Sequence, residues 1–142
     1  MTHIVAEPLF AAVEEFRHAL HAEPRSGHSQ WADGVHAALA SLGEAIQEEV
    51  RAAEQDLKHV GEVNLDFQDA PVNERHIETM RRQLIKLGEQ MHQLRADIRA
   101  AQIGADEVRR RGEECVNQVE KVRHAKNEFL LKTLNSNPGA GE

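Results

Sequence analysis

The feature that most constrains this chain is a stripe of apolar residues spaced three and four apart without a fault: Ile77, Met80, Leu84, Leu87, Met91, Leu94, Ile98 and Ala101. Alternating steps of three and four gather all of them on one face of a helix, whereas a strand with its period of two would scatter them over both. Outward positions carry opposite charges in the favourable i,i+4 order, as with Glu78 and Arg82. The same phase continues through Ala105, Val108, Gly112, Cys115, Val119, Val122, Lys126 and Phe129. Two chain tracings satisfy it. One is a single helix of about 60 residues, about 90 Å long, from Pro71 to Leu134, pairing as a dimeric coiled coil. In the other the chain turns near Gly104, and this is the expectation: Gly104 suits the left-handed conformation that ends helices, Asp106 can cap a new one, and a bundle buries more apolar surface than a rod.

Two further helical stripes lie upstream. The first starts at Pro8, whose missing N–H is harmless in a first turn, and places Leu9, Val13, Phe16 and Leu20 inward before a break at residues 24–29. The second opens with Ser29 as its N-cap and runs through Val35, Leu39, Leu42, Ile46, Val50, Ala53, Leu57 and Val60 to Gly61. A polar loop around Leu65 and Phe67 leads to Pro71. Four such segments predict an all-α, up-and-down four-helix bundle, a single domain over residues 1–142 with an ordered core at 8–134 and a fraying tail at 135–142. The alternative is a helical hairpin with one long C-terminal coiled-coil helix.

Aromatic residues make up only 4% of the chain and tyrosine is absent, so the core must come from Leu, Ile, Val, Ala and Met, a palette that suits helices. The net charge of -7 is uneven, with -9 in residues 1–75 and +2 in residues 76–142. The one basic run, Arg109 to Arg111, is flanked by Glu107, Glu113 and Glu114, so no clustered positive face is expected to bind nucleic acid. Apolar runs fall far short of the roughly 20 residues that cross a bilayer, and the N-terminus has neither a basic n-region nor an apolar h-region. A cytoplasmic protein is the expectation. Cys115 is the only cysteine, which excludes an intrachain disulfide and a thiolate zinc cage, and it reads as a small core residue.

Nine histidines raise the question of a metal. Glu15 with His18, and Glu89 with His92, form the Glu-x-x-His unit of di-iron bundles, yet the apolar phase points both pairs outward. His36 and His76 fall beside core positions and are expected in helix–helix seams. His18, His21 and His28 gather near the first interhelical break and could hold a transition metal adventitiously. No acid and base share an inward position, and no Gly-rich phosphate loop is present, so catalysis is not expected.

The run from Trp31 to Leu42, the acidic pair Glu48 and Glu49, the stretch Leu84 to Leu94, and the segment His124 to Leu131 together resemble bacterial hemerythrin-like helix bundles over roughly residues 31–135. The resemblance implies a four-helix bundle holding a non-haem di-iron centre, with histidine and carboxylate ligands, that binds or senses oxygen. The chain departs from that pattern at the ligands. Gln47 and Gln83 stand where the family would place histidines, and His-x-x-x-His occurs nowhere. His124 with Glu128 alone reproduces a His-x-x-x-Glu unit, and a turn at Gly104 would free the last helix from the inherited phase that points His124 outward. These two residues are the candidate metal ligands, and Glu48 or His36 would have to converge on them. The resemblance thus implies a member that has lost its metal and serves as a protein-interaction or regulatory module, through an unidentified protein partner or self-association. The alternatives are an oxygen-binding di-iron domain and a coiled-coil scaffold.

Overall fold

Each of the four stripes forms a helix: α1 over Glu7–His21, α2 over His28–Val63, α3 over Ala70–Arg99 and α4 over Ala105–Asn135. The structure, a computed structural model, describes residues 7–22, 28–63 and 70–135, and no strand occurs among them. Each helix packs against its neighbours in sequence, and α1 closes the ring against α4. Cross-helix pairs fix the directions. Late α2 meets early α3 at Glu54 and Arg81, late α3 meets early α4 at Asp97 and Arg111, and Phe10 near the start of α1 lies against Arg123 far along α4. The bundle is therefore up-and-down, as the periodicity predicted.

All four inward residues of α1 are buried, and so are Val35, Leu39, Leu42, Ile46 and Ala53 on α2. On α3, Ile77, Leu84, Leu87, Met91, Leu94 and Ile98 are buried while Met80 is half-buried; Val108, Cys115, Val119 and Val122 follow on α4. Helix boundaries differ from the sequence reading by a few residues. Ser29 lies inside the first turn of α2, which begins at His28, and Gly61 does not stop α2, which runs to Val63. Pro71 sits in the first turn of α3, where its lack of an N–H is tolerated.

The chain turns between α3 and α4, which removes the single long helix from Pro71 to Leu134, but the turn is not the one expected. Ala101, not Gly104, takes the left-handed conformation, at φ 55°. Its N–H donates to Ile98 O at 3.1 Å and the Gln102 N–H donates to Asp97 O at 3.1 Å, the paired closing bonds of a Schellman motif. Gly104 instead occupies the N-cap of α4, its carbonyl accepting from the Val108 N–H at 3.0 Å. Asp106 is therefore inside the first turn of α4 and contributes through the helix dipole. An alanine in the left-handed region is strained where glycine is not. Ala101→Gly is accordingly expected to raise the unfolding free energy by about 0.5–1 kcal/mol, after allowance for the greater freedom of glycine in the unfolded chain. Urea denaturation would show it as a higher midpoint at unchanged slope.

At 15 residues α1 spans about 22 Å, against about 54 Å for the 36 residues of α2. Glu49 of α2 and Lys126 of α4 reach across to each other, Oε1 to Nζ at 2.7 Å, with only 14% and 22% of their side chains exposed. Lys126 holds an inward place in the α4 stripe, and its ammonium is neutralised by Glu49.

At the C-terminal end of α1, Arg109 joins three helices. Its Nε donates to Leu20 O at 3.3 Å, capping α1, while its guanidinium stacks 4.9 Å from the centre of the Trp31 ring on α2. Gly112 lets α1 approach α4: a Cβ there would come within 2.8 Å of both Leu20 methyl carbons and 3.1 Å of Phe16 Cζ.

Candidate functional site

The candidate ligands His124 and Glu128 lie on one outward face of α4, His124 Nε2 to Glu128 Oε2 at 3.4 Å, with side chains 76% and 67% exposed. The sequence reading let a turn at Gly104 shift the phase of the last helix and carry them inward. The turn leaves the phase intact, since Val108, Cys115, Val119 and Val122 are buried in the inherited register. Glu48 is exposed and bonded to Arg51, and His36 lies near the opposite end of the bundle beside Ile98 and Arg99, so neither converges on His124. Gln47 and Gln83, at the places where histidines were looked for, are exposed, and the inward positions beside them are Ile46 and Leu84.

A di-iron centre in a bundle draws its carboxylates and imidazoles from inward positions on facing helices. Among the described residues every buried side chain is apolar, and no three His, Cys, Asp or Glu side chains cluster. The described donor set does not fit such a centre. Glu15, His18, Glu89 and His92 are exposed, as their phase required. His21 bonds Glu113 across the α1–α4 seam, whereas the side chain of His28 lies outside the described residues. Of the two seam histidines, His76 packs on Phe129 with ring centres 5.3 Å apart, between α3 and α4. His36 is half-buried between α2 and the end of α3, and burial together with Arg95 and Arg99 holds its pKa below the ordinary imidazole value against the opposing pull of Asp33. Cys115 is buried and its thiol pKa is pushed up to about 11 by desolvation, so it stays protonated and unreactive at neutral pH.

Most charges on the helix faces are matched locally. Glu78 accepts from Arg81 at 2.9 Å and from Arg82 at 2.9 Å, and these hydrogen bonds lower its pKa to about 2. A carboxyl depressed in the folded state stabilises the fold above its unfolded pKa and loses that contribution as the pH falls towards about 2. Carboxyl-resolved NMR should find Glu78 still ionised at pH values where the exposed glutamates have already protonated. Titration of Glu78 together with them would disprove the clamp.

An apolar depression runs along the outside of the α2–α3 pair. Gly43 and Gly88 lie along the seam, where a Cβ on either would meet Met91 or Ile46 at an ordinary contact distance of 4.0 Å. Val50 adds to the floor and Ile85, 36% exposed, stands on its edge, with Glu44, Arg51, Glu89 and His92 around it. Among the described residues no helix is long and apolar enough to cross a membrane. Neither a family model, nor a curated protein, nor a solved structure matches the chain.

Proposed function

We propose that the chain is a non-catalytic, hemerythrin-like helical bundle without a di-iron centre, acting as a protein-interaction or regulatory module. The observation that carries this reading is the composition of the described interior, where every buried side chain is apolar and the two residues best matched to a ligand motif are exposed. General acid–base chemistry needs a positioned, environment-tuned acid and base, and no charged side chain is buried among the described residues to supply one. A bundle of this kind acts through its surface, and the α2–α3 depression with Ile85 on its edge is the apolar face available for contact. The interior also argues against the oxygen-binding alternative, and the turn at residues 100–104 argues against the long-helix scaffold.

The test is the metal content and ultraviolet-visible spectrum of untagged protein from iron-replete cells, taken with far-ultraviolet circular dichroism to establish that it is folded. A helical sample without stoichiometric iron is expected. A full di-iron complement with a charge-transfer band responding to oxygen would overturn the reading.

A further inference from the structure

Two acid–base pairs flank the apolar depression between α2 and α3. On α2, Glu44 and Arg51 stand two helical turns apart on its rim. On α3, Arg82 and Glu89 stand two turns apart on the ridge that carries Ile85. All four side chains are exposed. Arg51 also bonds Glu48, and Arg82 bonds Glu78, each on its own helix, and a guanidinium keeps donors to spare for a second carboxylate.

Contacts across the seam set the heights of the two antiparallel helices against each other. Gly43 lies opposite Met91, Gly88 opposite Ile46, and Glu54 opposite Arg81. In that register Glu44 is level with Glu89 and Gln90, and Arg51 with Arg82 and Gln83. The midpoints of the two acid–base pairs therefore fall within about 3 Å of one height. That height is also close to the middle of α2, His28–Val63, and of α3, Ala70–Arg99.

A second copy can lie on this face about either of two two-fold axes in the plane of contact. An axis along the helices sets α2 over the α3 of the other copy at equal height, so Glu44 meets Glu89 and Arg51 meets Arg82. Like charges oppose each other throughout. An axis across the helices sets each helix over its own counterpart, reversed, so that Glu44 of either copy meets Arg51 of the other and Arg82 meets Glu89. Opposite charges then surround the apolar strip, and the exposed Ile85 falls beside Gly88 of the other copy, where no side chain fills the space. Because the axis passes near the middle of both helices, they overlap over most of their length. Two helices side by side, each about 10 Å across and about 45 Å long, offer a footprint of about 900 Å2, against about 800 Å2 per partner in a standard interface.

We propose that the partner of this face is a second copy of the chain, docked through α2 and α3 in an antiparallel, isologous dimer. The dimer rests on the reading of the bundle as a module that acts through its surface, and it supplies the partner. Its charges select the reversed arrangement over the parallel one, while the apolar strip provides the area to be buried.

The test is sedimentation equilibrium of the full chain over a range of concentrations, at low and at high salt. A monomer–dimer equilibrium that weakens with salt is expected. Ile85→Glu, which changes an exposed side chain and leaves the core alone, should abolish the dimer. Glu44→Arg should weaken it by about tenfold, because the two-fold axis turns one substitution into two repulsive pairs. Glu44→Arg combined with Arg51→Glu should restore it, since exchanging the two charges preserves the reciprocal pairing. Each variant is first shown to be folded by circular dichroism. Gln47→Cys, next to the axis, should cross-link to its own counterpart on oxidation, the native Cys115 being buried, whereas Lys58→Cys, far from the axis, should not. A monomer at every concentration, a dimer indifferent to Ile85→Glu, or one that the double exchange fails to restore would overturn the dimer. None of these results would bear on the absence of a di-iron centre, which the iron content decides separately.

Discussion

Phe16→Ala lowers the unfolding free energy by about 4 kcal/mol, the usual loss for a fully buried phenylalanine. Phe16 has no exposed surface and belongs to the shortest helix, which has only Leu9, Val13 and Leu20 beside it to hold the core. Its ring lies against Gly112, where the backbone of α4 comes closest, so the cavity cannot be filled by a neighbouring side chain swinging in from that helix. For a chain of this size the melting temperature should fall by roughly 10–15 °C. Urea denaturation read by circular dichroism and by Trp31 fluorescence should show both signals moving to a lower midpoint. A shift of less than about 1 kcal/mol would mean that α1 is not anchored through this ring.

The second large effect concerns the pair Glu49 and Lys126 between α2 and α4, and its sign depends on the replacement. Lys126→Ala leaves the Glu49 carboxylate 14% exposed and without its ammonium. An uncompensated charge in such a place is strongly destabilising, and because the pair retains some contact with water the loss should be about 2 kcal/mol. The double substitution of Glu49→Leu with Lys126→Met removes both charges and keeps the volume, and it should be neutral or stabilising. Chemical denaturation of the two variants, with Glu49→Leu alone to complete the cycle, measures the coupling. Equal destabilisation by Lys126→Ala and by the double substitution would mean that packing of the lysine stem, and not charge pairing, is what the site contributes.

The arrangement of the helices was legible in the sequence because it rests on one repeated physical requirement. Leu9 to Leu20, Val35 to Ile46 and Ile77 to Ile98 keep a helical period, and burial follows that period, with Met80 alone in these stripes half-buried. The turn between α3 and α4 was placed within a few residues, but its chemistry was assigned to the wrong side. Glycine's freedom pointed to Gly104, whereas the backbone puts the strain on Ala101 and uses Gly104 as an N-cap. Only the bond pattern of the two closing N–H groups distinguishes these cases, and a sequence does not carry it.

The functional reading ran out sooner. The exposure of His124 follows from the phase of α4, and the same phase could have dismissed it had the turn not been allowed to reset the register. Lys126 was also visible, as a charge within an otherwise apolar stripe, but its partner Glu49 could be found only once α2 and α4 were brought together. The packing also assigns Asp97 of α3 to Arg111 of α4, at 2.8 Å, a pairing that the spacing of charges along one helix does not give.

The persistence of one apolar register across residues 100–104 has a consequence for how the chain can associate. Because α3 and α4 share a phase, straightening their connection would leave the stripe continuous and let α4 pack against the same surfaces of another copy. That is the geometry of domain exchange, to which hinge connections under strain are prone. A left-handed alanine is a standing bias of roughly 1–2 kcal/mol towards the open connection. An exchanged dimer, in which each chain would complete the other's bundle, would relieve that strain, and Ala101 is the residue at which the balance could be adjusted without touching the core.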